Sequence, residues 1–557
     1  MRRALTVLLS LTLCILFASA AAAAPEKHVI VQADSAENAA AIVAHYGGAV
    51  DEHLEIINAV AATLTEGRLV ALQRDGRVRA VHADAAVGMA GSHADEGRLD
   101  AHFPEVVGAD NVWAQGVTGE GVTVAIVDTG VSQRFQWARS KMLARFDALD
   151  GDNKAADPHG HGTFMAGLIG SNRADADGYH GVAPAVHFVD VRVLDGEGKG
   201  TYADVIEGLN WILENKDTYN IRAVNLSIVG GVSSPYWADP LNQAVEELWA
   251  SGIVVVAAAG NGGPDPLTIS APGNDPFIIT AGAFTDAYTP DDEGDDTVTT
   301  FSGAGPTESG FVKPDVVAPG AHVISQMDRN STWGSTYNDF HVQGRFYQGA
   351  GTSTATAVTA GIVALMLDQN PEMTPNEVKY TLMAAARPAV SSDGSSLTWS
   401  IFQQGAGRVW APDAVFGDYP GEANDGMVPG KKYVGPTVYR DGAFILVDED
   451  GEQIAELSGY TWTGGYTWTG GYTWTGGYTW TGGYTWTGGY TWTGSTDWAP
   501  LEEGELWRSG YTWTGGYTWI GDYTWTGGYT WTGGYTWTGG YIWTGGYTWA
   551  GLLPSID

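Results

Sequence analysis

The chain reads as an α/β protein with a mainly parallel sheet between helices. A small α+β unit precedes it, and a β-prone or disordered repeat tail follows. Three observations predict this. Residues 100–415 alternate strand-like and helix-like segments. Val122-Thr123-Val124-Ala125-Ile126-Val127 and Ile253-Val254-Val255-Val256 are short, apolar and β-branched, as strands buried on both faces are. From Tyr460 onward the composition changes to a six-residue repeat.

In chain order, the first segment reads as a secretory signal over residues 1–24. Arg2 and Arg3 supply the positive start, Ala4 to Phe17 an apolar run, and Ala18-Ser19-Ala20 opens a small-residue cleavage zone that reaches Ala24. The run is short for a membrane-spanning helix. Its Cys14 is the only cysteine of the chain, so the mature protein is expected to have neither disulfide nor thiol nucleophile. A secreted, extracellular protein is the expectation.

Residues 25–90 read as one small domain. His28-Val29-Ile30-Val31 is a strand candidate, and Ser35 to Tyr46 a helix with Ala39, Ile42, Val43 and Tyr46 on one face. Ala59 to Leu64 and Val78 to Val87 are further strand candidates, and Gly88 to Gly97 reads as a linker. Within 100–415, helices are expected at Asp204–Leu213 and Asn242–Trp249. Another is expected from Thr374-Pro375-Asn376-Glu377, which has capping-box spacing with Pro at the first helical position. Residues 416–458 read as a linker or small β extension with a strand candidate at Phe444-Ile445-Leu446-Val447, and Asp448-Glu449-Asp450-Gly451 as a turn.

The tail, 459–551, repeats Tyr-Thr-Trp-Thr-Gly-Gly and holds most of the 23 tryptophans. The tetrad favours strand and Gly-Gly favours a hairpin turn. A meander would place aromatics from alternate strands on each face; a parallel solenoid would stack like residues; a poorly ordered tail is a third reading. Its rings suit contacts with a cell surface, a polysaccharide or the tail itself.

The formal net charge of −36 argues against nucleic acid as a partner, because phosphates call for Lys and Arg. Chemistry is carried by four separated stretches: Val127-Asp128-Thr129-Gly130, His161-Gly162-Thr163, Ala259-Gly260-Asn261 and Gly351-Thr352-Ser353. Each alone reads as an ordinary turn. Together, in the order Asp, His, Asn, Ser, they spell a serine nucleophile (Ser353), its base (His161), the carboxylate that orients the base (Asp128) and an amide donor for the oxyanion (Asn261). His159 competes with His161 for the role of base; Gly-Thr directly after His161 favours the latter.

Over residues 28–415 these stretches resemble the subtilisin family of serine proteases, as do Val193-Leu194-Asp195-Gly196, Phe301-Ser302-Gly303 and Lys313 to Gly320. The resemblance implies a subtilisin-like three-layer domain and a zymogen whose 25–90 unit is an inhibitor-like propeptide. It also implies endopeptidase action on protein or peptide substrates. Substrate would add as a strand between Gly198-Lys199-Gly200 and Ser227-Ile228-Val229-Gly230. No cofactor is required for the chemistry and no metal ligand set is expected in the site. Structural calcium is common in the family, and the acidic loop Asp291–Asp296 is a candidate for it, a solvated loop being the plainer reading. Two positions depart from the pattern. Phe164 stands where the family often has a second histidine, and Ala357 where it usually has proline.

Overall fold

The structure is a computed structural model of the chain. It describes residues 26–89, 91–92, 103–149, 151, 156–172, 181–290, 293–389, 397–440 and 443–447, with short strands between 460 and 550. The signal segment and the expected turn at 448–451 lie outside the described residues. The chain divides into two compact units, Met1–Asp84 and Ala85–Asp557.

The first unit contains β1 (Glu26–Gln32), α1 (Ala36–His45), β2 (Ala49–Leu54), β3 (Ala59–Thr65), α2 (Glu66–Leu72) and β4 (Ala80–Ala83). Its strands form an antiparallel sheet in the order β2-β3-β1-β4. Ser35 caps α1 by accepting the Asn38 N–H, and the alternation along β1 and β3 buries Val29, Val31, Val60 and Leu64 beneath Ile42 and Val43 of the helix.

The second unit opens on two short strands, β5 (Ala86–Met89) and β6 (Gly91–Ser92). The sequence expectations of one strand from 78 to 87 and a linker from 88 to 97 are both corrected here. The backbone leaves the first sheet after Ala83, and residues 86–89 and 91–92 pair with strands of the second unit. Edge strands with free N–H and C=O groups recruited a segment whose small residues carry little strand signal of their own.

Then come β7 (Thr123–Asp128), β8 (Met142–Asp147), α3 (His161–Gly170), β9 (His187–Arg192), β10 (Lys199–Thr201) and α4 (Tyr202–Tyr219). They are followed by β11 (Ile221–Leu226), β12 (Ile228–Gly230), α5 (Pro240–Ala250), β13 (Val254–Ala258) and β14 (Ile279–Thr285). β15 (Thr297–Val298), β16 (Val316–Pro319), β17 (Val323–Gln326), α6 (Thr332–Thr336), β18 (His341–Gln343) and β19 (Phe346–Gly351) lead to α7 (Thr352–Gln369) and α8 (Pro375–Ala384). The central sheet runs β15-β14-β13-β11-β7-β9-β8, with β16 beside β14, and every pair is parallel except β14 with β15. All residues of β7 and β13 are buried, as their unbroken apolar runs require. Helices α4 and α5 pack together, as do α3 and α7. The expected capping box is present at α8, where Thr374 accepts the Glu377 N–H and Glu377 accepts the Thr374 N–H.

β20 (Thr437–Arg440) and β21 (Ala443–Leu446) form an antiparallel pair that includes the strand expected at Phe444. In the tail, the strands Tyr460–Trp462 and Tyr478–Trp480 pair antiparallel. Further on, Thr512–Thr514, Tyr529–Thr532 and Tyr547–Ala550 pair parallel, with Trp513 opposite Trp531 and Trp531 opposite Trp549. Partners there are three repeats apart, the in-register arrangement of a solenoid.

Candidate active site

Open parallel sheets place functional groups beyond the carboxyl ends of their strands, and all four predicted residues lie there. Asp128 ends β7, His161 begins α3, Asn261 follows β13, and Ser353 lies in the first turn of α7. The His161 Nδ1 atom lies 2.8 and 2.9 Å from the two Asp128 carboxylate oxygens. That contact fixes the ring's orientation and puts the proton on Nδ1, leaving Nε2 as the basic nitrogen. Nε2 is buried with no hydrogen-bond partner.

Glycine makes this approach feasible. A Cβ on Gly162 would collide with the Gly130 carbonyl oxygen and lie 3.1 Å from the Asp128 Cβ. Gly130 itself has φ +103° and would clash with the Ala156 carbonyl oxygen if it bore a side chain. The Gly after His161, which favoured it over His159 in the sequence, is thus what lets α3 close on β7. His159 is buried too, but its ring stacks on Trp333 with centroids 6.0 Å apart. Burial holds its pKa down, to about 4, so it is neutral.

Ser353 is completely buried. Its hydroxyl donates to the Ser227 carbonyl at 3.4 Å, and the Ser227 hydroxyl donates to the Ser353 carbonyl at 3.0 Å. The Asn261 Oδ1 atom accepts both the N–H and the hydroxyl of Thr352, at 2.9 and 3.0 Å. With its oxygen held beside the nucleophile, the side chain has its amide nitrogen as the donor end. The positive end of the 18-residue α7 helix adds to the field that favours negative charge there.

Both predicted substrate edges lie around one strand. β5 pairs antiparallel with β10 and with β12: Gly88 lies opposite Lys199 and Val229, and Val87 opposite Gly200 and Gly230. Ile228 lies opposite Met89, and Gly198 takes φ +75° beneath the Met89 side chain. Ser227 directly precedes β12 and carries the bonds to Ser353 given above.

Two functional residues escaped the sequence reading. Asp157 is buried and accepts from the Thr129 hydroxyl (2.8 Å), Gly160 N–H (2.6 Å), Thr163 N–H (2.8 Å) and Thr163 hydroxyl (2.6 Å). It ties the residue after Asp128 to the first turn of the His161 helix. Burial raises its pKa, against the pull of those donors. A carboxylate four residues before a candidate base was its only sequence signal. The other is Trp333, whose ring centroid lies 5.2 Å from that of His161 and 5.5 Å from that of Phe164. α6 is clipped to the His159 loop by Thr332 N–H to Pro158 and Trp333 N–H to His159, at 2.9 and 2.8 Å. Nothing local in the sequence marks that contact. Phe164 itself is core: it is buried, and its carbonyl accepts the Ser325 hydroxyl at 2.7 Å.

Among the described residues, no group of three His, Cys, Asp or Glu could hold a metal ion. In the acidic loop, Asp291 and Asp292 lie outside the described residues. The remaining carboxylates are otherwise engaged: Glu293 with Arg387 and Arg408, Asp296 with Arg408, and Asp295 with the Thr289 hydroxyl. Arginines, rather than a cation ligand set, answer the charge of that loop.

The fold and this constellation are those of a serine peptidase, and comparison with known proteins places it. Residues 119–407, just over half the chain, match the model of the subtilase family. Serine protease AprX of Bacillus subtilis (strain 168) is 42% identical over 275 residues, covering 48% of this chain and 62% of that protein. Subtilisin E of the same organism is 30% identical over 347 residues, 62% of this chain and 80% of that one. An extracellular serine proteinase of Thermus sp. (strain Rt41A) is 31% identical over 346 residues, 62% of this chain and 75% of that one. The chain belongs to the subtilase family of serine endopeptidases.

Proposed function

We propose that the chain is a secreted endopeptidase made as a zymogen, cutting peptide bonds with Ser353 as nucleophile, His161 as base, Asp128 as the base's orienter and Asn261 as oxyanion donor. The observation that carries this reading is β5: a segment of the chain itself lies hydrogen-bonded on both edges in the cleft beside the nucleophile. Extended peptide is therefore what the cleft is shaped to hold.

The Ser353 hydroxyl attacks the carbonyl carbon of the bound strand as His161 Nε2 takes its proton. Charge that develops on the substrate oxygen is met by the Asn261 amide and the Ser353 N–H at the start of α7. The imidazolium, held by Asp128, gives its proton to the leaving amine, and water completes hydrolysis of the ester. The apolar first segment and the extracellular relative in Thermus support secretion. The first unit, upstream of a cleft already filled by residues 86–89, supports the propeptide role.

Ser353→Ala is the test. Loss of the serine in such a triad costs about a million-fold in kcat, so casein hydrolysis is expected to vanish while the fold persists. Equal hydrolysis with and without Ser353 would overturn the proposal.

A second role belongs to the tail. Its parallel strands set tryptophan opposite tryptophan at successive levels, which supports a binding role toward polysaccharide, a cell surface or a second tail. The check is retention of the Ser353→Ala chain on polysaccharide and lipid vesicles, compared with the same chain ending at 458. Equal retention of the two would remove the tail from binding.

A further inference from the structure

The zymogen reading does not say which bond is cut, but two strand registers converge on the nucleophile. Against β12, β5 places Val87 opposite Gly230, Gly88 opposite Val229 and Met89 opposite Ile228. One step further along the partner is Ser227, whose carbonyl oxygen accepts the Ser353 hydroxyl. Against β19, β6 places Ser92 opposite Ala350 and Gly91 opposite Gly351. Two residues beyond Gly351 is Ser353 itself. The chain thus enters the cleft along one strand edge and leaves it along another, with the nucleophile at the junction. In sequence, one residue separates β5 from β6: Ala90, which lies outside the described residues.

We propose that Ser353 cuts the chain's own Ala90–Gly91 bond, and that Val87-Gly88-Met89-Ala90 records the enzyme's preference: a small residue before the cut and a branched apolar residue three positions earlier. This rests on the zymogen reading and names its substrate. The Ser353 oxygen bonds to the Ala90 carbonyl carbon, and His161 takes the hydroxyl proton. The Ala90–Gly91 C–N bond breaks, and that proton passes to the Gly91 nitrogen, which leaves as an amine. Water then hydrolyses the ester, returning a proton to Ser353 and leaving Ala90 as a carboxylic acid.

The flanking residues differ in how tightly they are held. Val87 is buried. A Cβ on Gly88 would meet only the Gly198 carbonyl oxygen, at 3.8 Å, so that position has room for a side chain. Met89 lies on Gly198, where an added Cβ would come 2.9 Å from its sulfur. Selection is therefore expected at the Val87 position and tolerance at the Gly88 position.

The test is the intact mass of both fragments of the full chain and of its Ser353→Ala form. The expected released fragment ends at Ala90, the mature fragment begins Gly91-Ser92-His93, and the Ser353→Ala chain stays whole across this bond. A Ser353-dependent cut at another bond overturns the assignment and leaves the zymogen reading standing. A whole, uncut chain that hydrolyses casein overturns both. A cut at Ala90–Gly91 in the Ser353→Ala chain overturns Ser353 as its agent. Peptide substrates give a second readout that requires no altered protein. The p-nitroanilide of Ala-Val-Gly-Met-Ala is expected to be cut by the mature enzyme with kcat/KM at least about tenfold above its Val→Asp version, because that position would bury a charge. Equal rates would overturn the preference.

Discussion

Asp157 carries no reacting atom, yet four donors converge on it from both sides of the Asp128–His161 pair. An amide there offers one oxygen in place of two and turns N–H groups toward other N–H and O–H donors. Asp157→Asn is expected to cost about 1–3 kcal/mol of stability. It should lower kcat at least about tenfold with KM nearly unchanged, since it shifts the base rather than the substrate edges. Steady-state kinetics and a urea melt of the Ser353→Ala background check both halves. At its neighbour His159, burial lowers the pKa to about 4. The unfolded chain, with an ordinary histidine near 6.5, binds the proton first on acidification. Stability is therefore lost as pH falls from about 6.5 to about 4, by up to about 3 kcal/mol for this one group. His159→Gln should flatten that limb in urea melts taken across the range; an unchanged slope would remove His159 as its source. The triad residues were legible because each sits in a short motif with its own glycine or threonine. Asp157 and Trp333 were not, because what they do depends on contacts that form only after the chain has folded.

At the scale of elements, the helices and central strands were readable because capping and burial leave local marks: Thr374 with Glu377, Ser35, and the apolar runs of β7 and β13. β5 was misread as the end of one strand and the start of a linker. Its residues Ala86-Val87-Gly88-Met89 are small and mixed, and they become a strand only because two edges await them. α7 invites a direct test. Proline inside a helix removes one N–H bond to the carbonyl four residues back, at a cost of about 3 kcal/mol or more. At Ala357 that carbonyl belongs to Ser353, which already accepts the Ser227 hydroxyl at 3.0 Å. Ala357→Pro is accordingly expected to cost well under about 3 kcal/mol and to retain peptidase activity. A thermal melt shows the first and casein hydrolysis the second; collapse of either would mean that the N–H of residue 357 is indispensable.

For the whole molecule, a formal net charge of −36 makes self-repulsion a general destabilising term. Screening over about 8 Å at 0.15 M salt weakens it. The Ser353→Ala chain is expected to melt at higher temperature in 0.15 M sodium chloride than in 0.01 M, and magnesium and sodium should act alike when matched for ionic strength. A rise seen with calcium but not with magnesium would instead locate a specific cation site. Beyond screening, the double pairing of β5 has a temporal consequence. Severing a covalent tether does not by itself evict a ribbon zipped along both margins; the new end stays until it peels away or is digested. Peptidase activity should therefore lag behind chain scission, with eviction of the spent ribbon, rather than chemistry at the serine, timing when the enzyme first meets other proteins.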